Sequence, residues 1–184
     1  IYESLIHSAG LQNKKLKIVK VNSENIEQID TLLSDVDGVL VPGGFGSRGV
    51  EGKIKAAKYC RENNIPYFGI CLGMQTLCIS FARDVLNLKD ANSTEFDTDT
   101  KNPVISLLSE QENVSDLGGR MRLGGYVCNV KPESKAFKAY GKPAIKERHR
   151  HRYEFNNYYK QEFEKNGCRI TGEHPVYGLV EIAE

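Results

Sequence analysis

Apolar positions along the chain switch between a helical and a strand-like period, and the order of the switches outlines the architecture. From Tyr2 to Ala9, Leu5, Ile6 and Ala9 fall at helical spacing, and Gly10 suits a C-terminal cap. Leu16 to Val21 interleaves Leu16, Ile18, Val19 and Val21 with Lys17 and Lys20 and predicts a strand. Ser23 can cap a following helix that runs through Leu33, and Gly38 to Val41 is a short apolar run of the kind that buried strands show. A second cycle repeats the order. Val50 to Asn63 is patterned as a helix, Ile65 to Ile70 as a buried strand, and Leu72 to Arg83 as a helix again. Strands alternating with helices of this length predict an α/β fold, doubly wound, with a mainly parallel sheet covered by helices on both faces.

From Lys89 to Gly125 the periodicity fades, and Asn, Ser, Thr, Asp and Gly dominate around one short strand at Val104 to Leu108. Such a stretch reads as loops that carry binding groups. Beyond it, Tyr126 to Val130 predicts a strand, Glu133 to Tyr140 a short helix, and Ile145 to Phe155 one alternating strand rich in charge. Tyr158 to Asn166 is helical, and Cys168 to Thr171 and Gly178 to Ile182 are short strands. There is no internal repeat, low-complexity tract or interdomain linker, and 184 residues with 40% apolar content suit one domain around one core.

Charge changes this picture little. The 25 Lys and Arg against 24 Asp and Glu leave a formal charge of +1, so no global field favours nucleic acid or an anionic membrane. No stretch approaches the roughly 20 apolar residues of a membrane span, and nothing resembles a signal peptide. These features predict a cytoplasmic protein whose partner is a small molecule or another protein. Five cysteines without a C-x-x-C pair fit reduced thiols, which leaves room for one with a chemical task.

The candidate is Cys71. Gly69-Ile70-Cys71-Leu72-Gly73 directly follows a predicted strand and precedes a predicted helix, the arrangement of a nucleophile elbow. A side chain on that turn stands above the carboxyl edge of the sheet, and flanking glycines let the backbone turn and pack without a clashing Cβ. The helix N-terminus favours thiolate over thiol. An ordinary buried cysteine is the bland alternative, and the paired glycines at a strand–helix junction argue against it. Pro42-Gly43-Gly44-Phe45-Gly46 also follows a strand, and its backbone N–H groups can point into an adjacent site. The N–H of Gly44 with that of Leu72 can form an oxyanion hole. A phosphate loop is a weaker reading, because neither a Lys-Ser/Thr ending nor the G-x-G-x-x-G spacing is present.

Five segments resemble the glutamine amidotransferase domain of the CTP synthases, in that family's order and with similar spacing. They are Pro42 to Gly52, Gly69 to Gln75, Asn92-Ser93-Thr94-Glu95-Phe96, Met121-Arg122-Leu123-Gly124 and Glu147 to Glu154. The likeness runs from about Tyr2 to Glu184. It implies a class I glutamine amidotransferase-like, flavodoxin-like fold in which Cys71 attacks the glutamine carboxamide and forms a γ-glutamyl thioester. Gly44 and Leu72 would stabilise the oxyanion, Gln75 and Glu95 would hold the α-amino end, and Arg152 would bind the α-carboxylate. Phe45 would help cover the site, with Gly73 and Met74 counted among the substrate-binding residues. The resemblance further implies that ammonia passes to a synthase domain that uses ATP and magnesium to convert UTP into CTP, with GTP as activator, in a homo-oligomeric enzyme. No cofactor is implied for the amidotransferase domain itself.

The family completes its triad with a His and a Glu from a His-Pro-Glu segment after the Leu-Val-Glu-Ile strand. Both are expected beyond Glu184, the first strand of the domain before Ile1, and the synthase domain outside the 184 residues. Glu110 to Ser115 is short for the family. His174-Pro175-Val176 precedes the Leu-Val-Glu-Ile strand and lacks the Glu, which makes it a poor substitute. Two rival functions are another cysteine hydrolase, such as a γ-glutamyl peptidase, and a non-catalytic regulatory module. Among the remaining features, Lys146 to Arg152 reads as alternating faces of one strand rather than a nucleic-acid patch. His149 and His151 face one side of that strand, as metal binding would permit, but no cluster completes a metal site. Cys78 lies two helical turns beyond Cys71 and reads as core.

Overall fold

The computed structural model describes residues 1–107 and 121–184, so the expectation about Glu110 to Ser115 lies outside the described residues. In chain order the first half contains α1 (Tyr2–Leu11), a 3₁₀ turn (Ile26–Gln28), α2 (Ile29–Leu32), β1 (Val39–Val41), α3 (Val50–Glu62), β2 (Tyr67–Gly69) and α4 (Leu72–Asp84). Then follow β3 (Asn92–Ser93), β4 (Pro103–Leu107), β5 (Arg122–Val130), α5 (Lys135–Tyr140), β6 (Ala144–His151) and β7 (Tyr153–Phe155). A 3₁₀ turn (Asn157–Tyr159), α6 (Lys160–Lys165), β8 (Ile170–Glu173) and β9 (Val180–Ala183) complete the chain.

The described ladders form three sheets, ordered β1–β2, β3–β4–β7 and β6–β5–β8–β9. Parallel pairing is confined to β1–β2 and β3–β4, and the pairs of the C-terminal half are antiparallel. The result is mixed α/β. Its main core joins α3 and α4 to β4, β7, α6, β8 and β9. Val50, Ile54 and Ile79 meet Val104, Ile105 and Phe155 there, and Phe163 and Ile170 close the far side.

Several predicted elements change in extent. α1 continues through Gly10 to Leu11, with Gln12 as its C-cap, and none of its residues is buried. Leu16 to Val21 joins no ladder, because β1 pairs with β2 and no other described strand offers backbone partners. Ser23 caps no helix. It lies instead against Gly49 and Gly52 at the start of α3, where a Cβ on Gly52 would strike the Ser23 backbone. The run from Ile65 to Ile70 shrinks to three residues, and it is not a fully buried strand, since Phe68 is 63% exposed.

The predicted strand from Ile145 to Phe155 is two strands in different sheets. β6 runs antiparallel to β5 from Asn129–Ala144 to Arg122–His151, whereas β7 pairs with β4 through Ile105–Phe155. The chain changes sheets at Arg152, which places that side chain at the seam. Local chemistry accounts for α5: Ser134 Oγ accepts from the Phe137 N–H at 2.9 Å, and Gly141 closes the C-terminus at φ 65°.

Phe163 is fully buried, with its ring 4.9 Å from that of Phe81 and 5.0 Å from that of Phe155. Truncating such a side chain removes its transfer energy and leaves a cavity. Phe163→Ala is expected to lower unfolding stability by about 3–5 kcal/mol in urea titration. A loss under about 1 kcal/mol would show that α6 is not anchored through this ring.

Candidate active site

Cys71 occupies the junction between β2 and α4 with φ 55° and ψ −107°. Few L residues adopt positive φ, and a residue held there costs of order 1–3 kcal/mol. The surrounding glycines make the turn possible. A Cβ on Gly69 would lie 2.6 Å from the Gly73 carbonyl oxygen and 2.7 Å from the Met74 nitrogen. One on Gly73 would press on the backbone of Val41 in β1. Strand, turn and helix therefore close onto one another only because these two positions lack side chains.

The turn directs the half-buried Cys71 thiol toward the loop after β1, where the nearby backbone N–H groups of Leu72 and Gly44 act to lower its pKa. Burial nevertheless pushes the thiol above its ordinary pKa, and the charges of Glu154 and Glu95 push the same way. The expected preference for thiolate is thus corrected: in this site desolvation outweighs the two amide donors.

Cys71 opens onto a cavity of about 330 Å³ lined also by Gly44, Phe45, Gln75, Glu95 and Arg152. Glu95 Oε1 accepts from the Gly46 N–H at 2.8 Å and so ties the glycine loop to the turn after β3. Gln75 Nε2 donates to the Tyr153 carbonyl at 3.0 Å, which fixes the chain just past Arg152. Phe45 is 60% exposed and receives the Arg150 guanidinium over its ring at 5.4 Å. The cavity presents a carboxylate, a guanidinium and an amide around one sulfur nucleophile. A second, larger and mostly apolar cavity of about 690 Å³ also reaches Cys71 and extends to Ala183 and Glu184.

Behind the cavity lies a buried polar cluster. The Arg122 guanidinium, 5% exposed, donates to Glu154 at 2.9 Å and to both oxygens of Glu181 at 2.6 and 3.1 Å. It also donates to His149 Nδ1 at 2.9 Å and lies 4.8 Å from the Tyr126 ring centroid. Burial pushes Glu154 up to about 7 against the pull of Arg122, and the neighbouring Glu181 charge adds to the rise. His174, by contrast, accepts the Val176 and Tyr177 N–H groups at its Nδ1 and stacks on Tyr177. It lines neither cavity.

A family model for class-I glutamine amidotransferases matches residues 1–184. The chain belongs to that family. The CTP synthase of a Hydrogenobaculum species is 55% identical over 185 residues, and that of Aquifex aeolicus 54% over 185. Both alignments cover 100% of this chain but 34% of the relative, so the chain spans about a third of the length of the curated relatives it matches. Among solved structures, the glutaminase domain of Trypanosoma brucei CTPS with bound acivicin superposes with a TM-score of 0.93 at 35% identity. That match covers 100% of this chain and 73% of that one.

Of the residues singled out from sequence in this amidotransferase domain, Gly44, Phe45, Cys71, Gln75, Glu95 and Arg152 meet around one cavity. Leu72 is buried and contributes its N–H alone. Gly73 and Met74 do not line that cavity: Gly73 is packed on β1, and Met74 faces the larger cavity and the core. Met121, Arg150, His151 and Tyr153 line the site without having been expected there. Their signal was their membership of the same motifs as Arg122 and Arg152. Among the described residues no group of three or more His, Cys, Asp and Glu is arranged to hold a metal, and no helix is long and apolar enough to cross a membrane.

Because burial and the carboxylates raise the Cys71 thiol, its alkylation by iodoacetamide should rise with pH around a midpoint above the roughly 8.5 of a free cysteine. Glu95→Gln removes one negative charge and should move that midpoint down. Rates followed by mass spectrometry at Cys71 check both, and a wild-type midpoint below about 8.5 would contradict the desolvation account.

Proposed function

We propose that the chain is the glutaminase domain of a CTP synthase, hydrolysing L-glutamine through a thioester on Cys71. The carrying observation is the convergence of the Gly44 and Leu72 N–H groups on the Cys71 sulfur, in a cavity with Glu95 on one wall and Arg152 on another. A free amino acid is a zwitterion, and this cavity offers a carboxylate and Gln75 for its ammonium and a guanidinium for its α-carboxylate. The side-chain carboxamide then reaches the nucleophile. Attack by sulfur places negative charge on the carbonyl oxygen, where the two amide donors stabilise it. Collapse releases ammonia and leaves a γ-glutamyl thioester, which water converts to glutamate and free thiol. A γ-glutamyl peptidase must leave the α-amino side open to a longer chain, and no feature of this cavity favours that reading.

A raised thiol needs a base. The sequence has four histidines, and none suits the task. His7 lies on α1, away from both cavities, and His174 spends its Nδ1 on backbone donors. His149 is bound to Arg122, and burial with the neighbouring His149 and Arg122 pushes His151 down to about 4. The family resemblance implies a His and a Glu for this role, and the larger cavity adjoins both Cys71 and Glu184. In the complete protein, ATP and magnesium serve the amination of UTP in the synthase domain and GTP activates the glutaminase, in a cytoplasmic homo-oligomer. The Pro42–Gly46 loop supports this division, since its amides are engaged with Cys71 and Glu95 rather than free for phosphate.

In the complete protein, Cys71→Ala or Cys71→Ser should abolish glutamine-dependent CTP formation and spare synthesis from free ammonia. Glutamine-dependent turnover that survives either change would remove Cys71 as the nucleophile. A second comparison tests the base. General acid–base catalysis contributes roughly 10² to 10⁴-fold, so the 184 residues alone should hydrolyse glutamine at least about a hundredfold more slowly than the chain extended through the next His and Glu. Equal steady-state rates would place the base within the chain.

A further inference from the structure

His151 stands at the neck between the two cavities, lining both alongside Cys71 and Gln75. Its protonation pattern follows from its neighbours. A guanidinium has donors only, so His149 Nδ1, 2.9 Å from Arg122 Nη2, must offer a lone pair. His149 then carries its proton on Nε2, which faces Glu181 Oε2 at 3.5 Å. His151 Nδ1 lies 3.1 Å from that same His149 Nδ1. The one lone pair of His149 Nδ1 is shared between Arg122 and His151, and a proton on His151 Nδ1 avoids lone-pair repulsion across this contact, which favours the Nδ1–H tautomer of neutral His151. Its Nε2 is left as an acceptor.

His151 keeps 19% of its side chain accessible, and no described residue bonds its Nε2. The buried side-chain N and O atoms without a partner among the described residues are Arg61 Nε and Thr94 Oγ1. We propose that His151 is a specificity-determining residue that accepts a hydrogen bond from the carboxamide NH₂ of glutamine and thereby selects the amide over the acid. An amide nitrogen donates, whereas the side-chain carboxylate of glutamate only accepts, and its lone pairs would face that of Nε2. The ring stays neutral at neutral pH, because burial and the nearby His149 and Arg122 hold it at about 4, so it cannot become a donor that would welcome a carboxylate. The same device favours departure of glutamate after the thioester is hydrolysed.

This inference rests on the glutaminase reading, and one set of measurements separates the two. In the complete protein, kcat/KM for glutamine and the inhibition constant of L-glutamate are compared for wild type, His151→Asn and His151→Gln. Ammonia-dependent CTP synthesis serves as the control for folding. Asn retains a donor at the Nδ1 position and loses the atom at Nε2, whereas Gln reaches the Nε2 position and can present its oxygen. His151→Asn should lower kcat/KM for glutamine about tenfold while glutamate inhibits as well as before or better, and His151→Gln should recover most of the loss. A merely structural role would weaken both ligands together. An unchanged discrimination between glutamine and glutamate in His151→Asn, or a proportional loss for both, would overturn the assignment to His151. Absence of glutamine hydrolysis in the wild type would instead overturn the glutaminase reading.

Discussion

At Cys71 the backbone is held at φ 55°, where a non-glycine residue persists only if its surroundings over-determine it. The surroundings here are β1, β2 and the first turn of α4, which approach so closely that Gly69 and Gly73 admit no Cβ. Everything chemical about the site follows from that packing. The turn aims the sulfur off the strand end, the N-terminus of α4 supplies the Leu72 N–H, and the loop after β1 comes near enough to add that of Gly44. β1 and β2 are three residues each, yet their parallel register places Val41 beside Gly69 and so sets the loop against the elbow.

The second organising element is the Arg122 cluster. One guanidinium serves two carboxylates and an imidazole, a buried arrangement whose desolvation penalty is offset only because nearly every donor is used. Its single positive charge does not neutralise both Glu154 and Glu181: burial foremost, and after it the Glu181 charge, raises Glu154, while burial foremost, and after it the Glu154 and Glu95 charges, raises the Cys71 thiol.

Much of this was legible in the chain itself. The elbow could be read because its signal is local: two glycines around a cysteine at a strand–helix junction describe a turn that few other sequences need. The same holds for α3 and α4, whose apolar spacing is intrinsic to a helix, and for the Ser134 and Gly141 caps of α5. Gly44, Glu95 and Arg152 were recognisable from motifs, although nothing local says that they share a cavity.

Tertiary structure decided the rest, because pairing and burial depend on partners far along the chain. Leu16 to Val21 alternates like a strand, but a strand exists only where another backbone supplies its hydrogen bonds. Ile145 to Phe155 has an unbroken period of two, yet β5 and β4 each claim one part of it, and the division falls at Arg152. The thiol's ionisation went the same way: a helix N-terminus is visible in sequence, whereas the burial and the carboxylates that outweigh it come from other elements. His149 and His151 could be placed on one face from their spacing alone, but their protons are assigned by Arg122 across the β5–β6 ladder, a neighbour that only the fold brings to them.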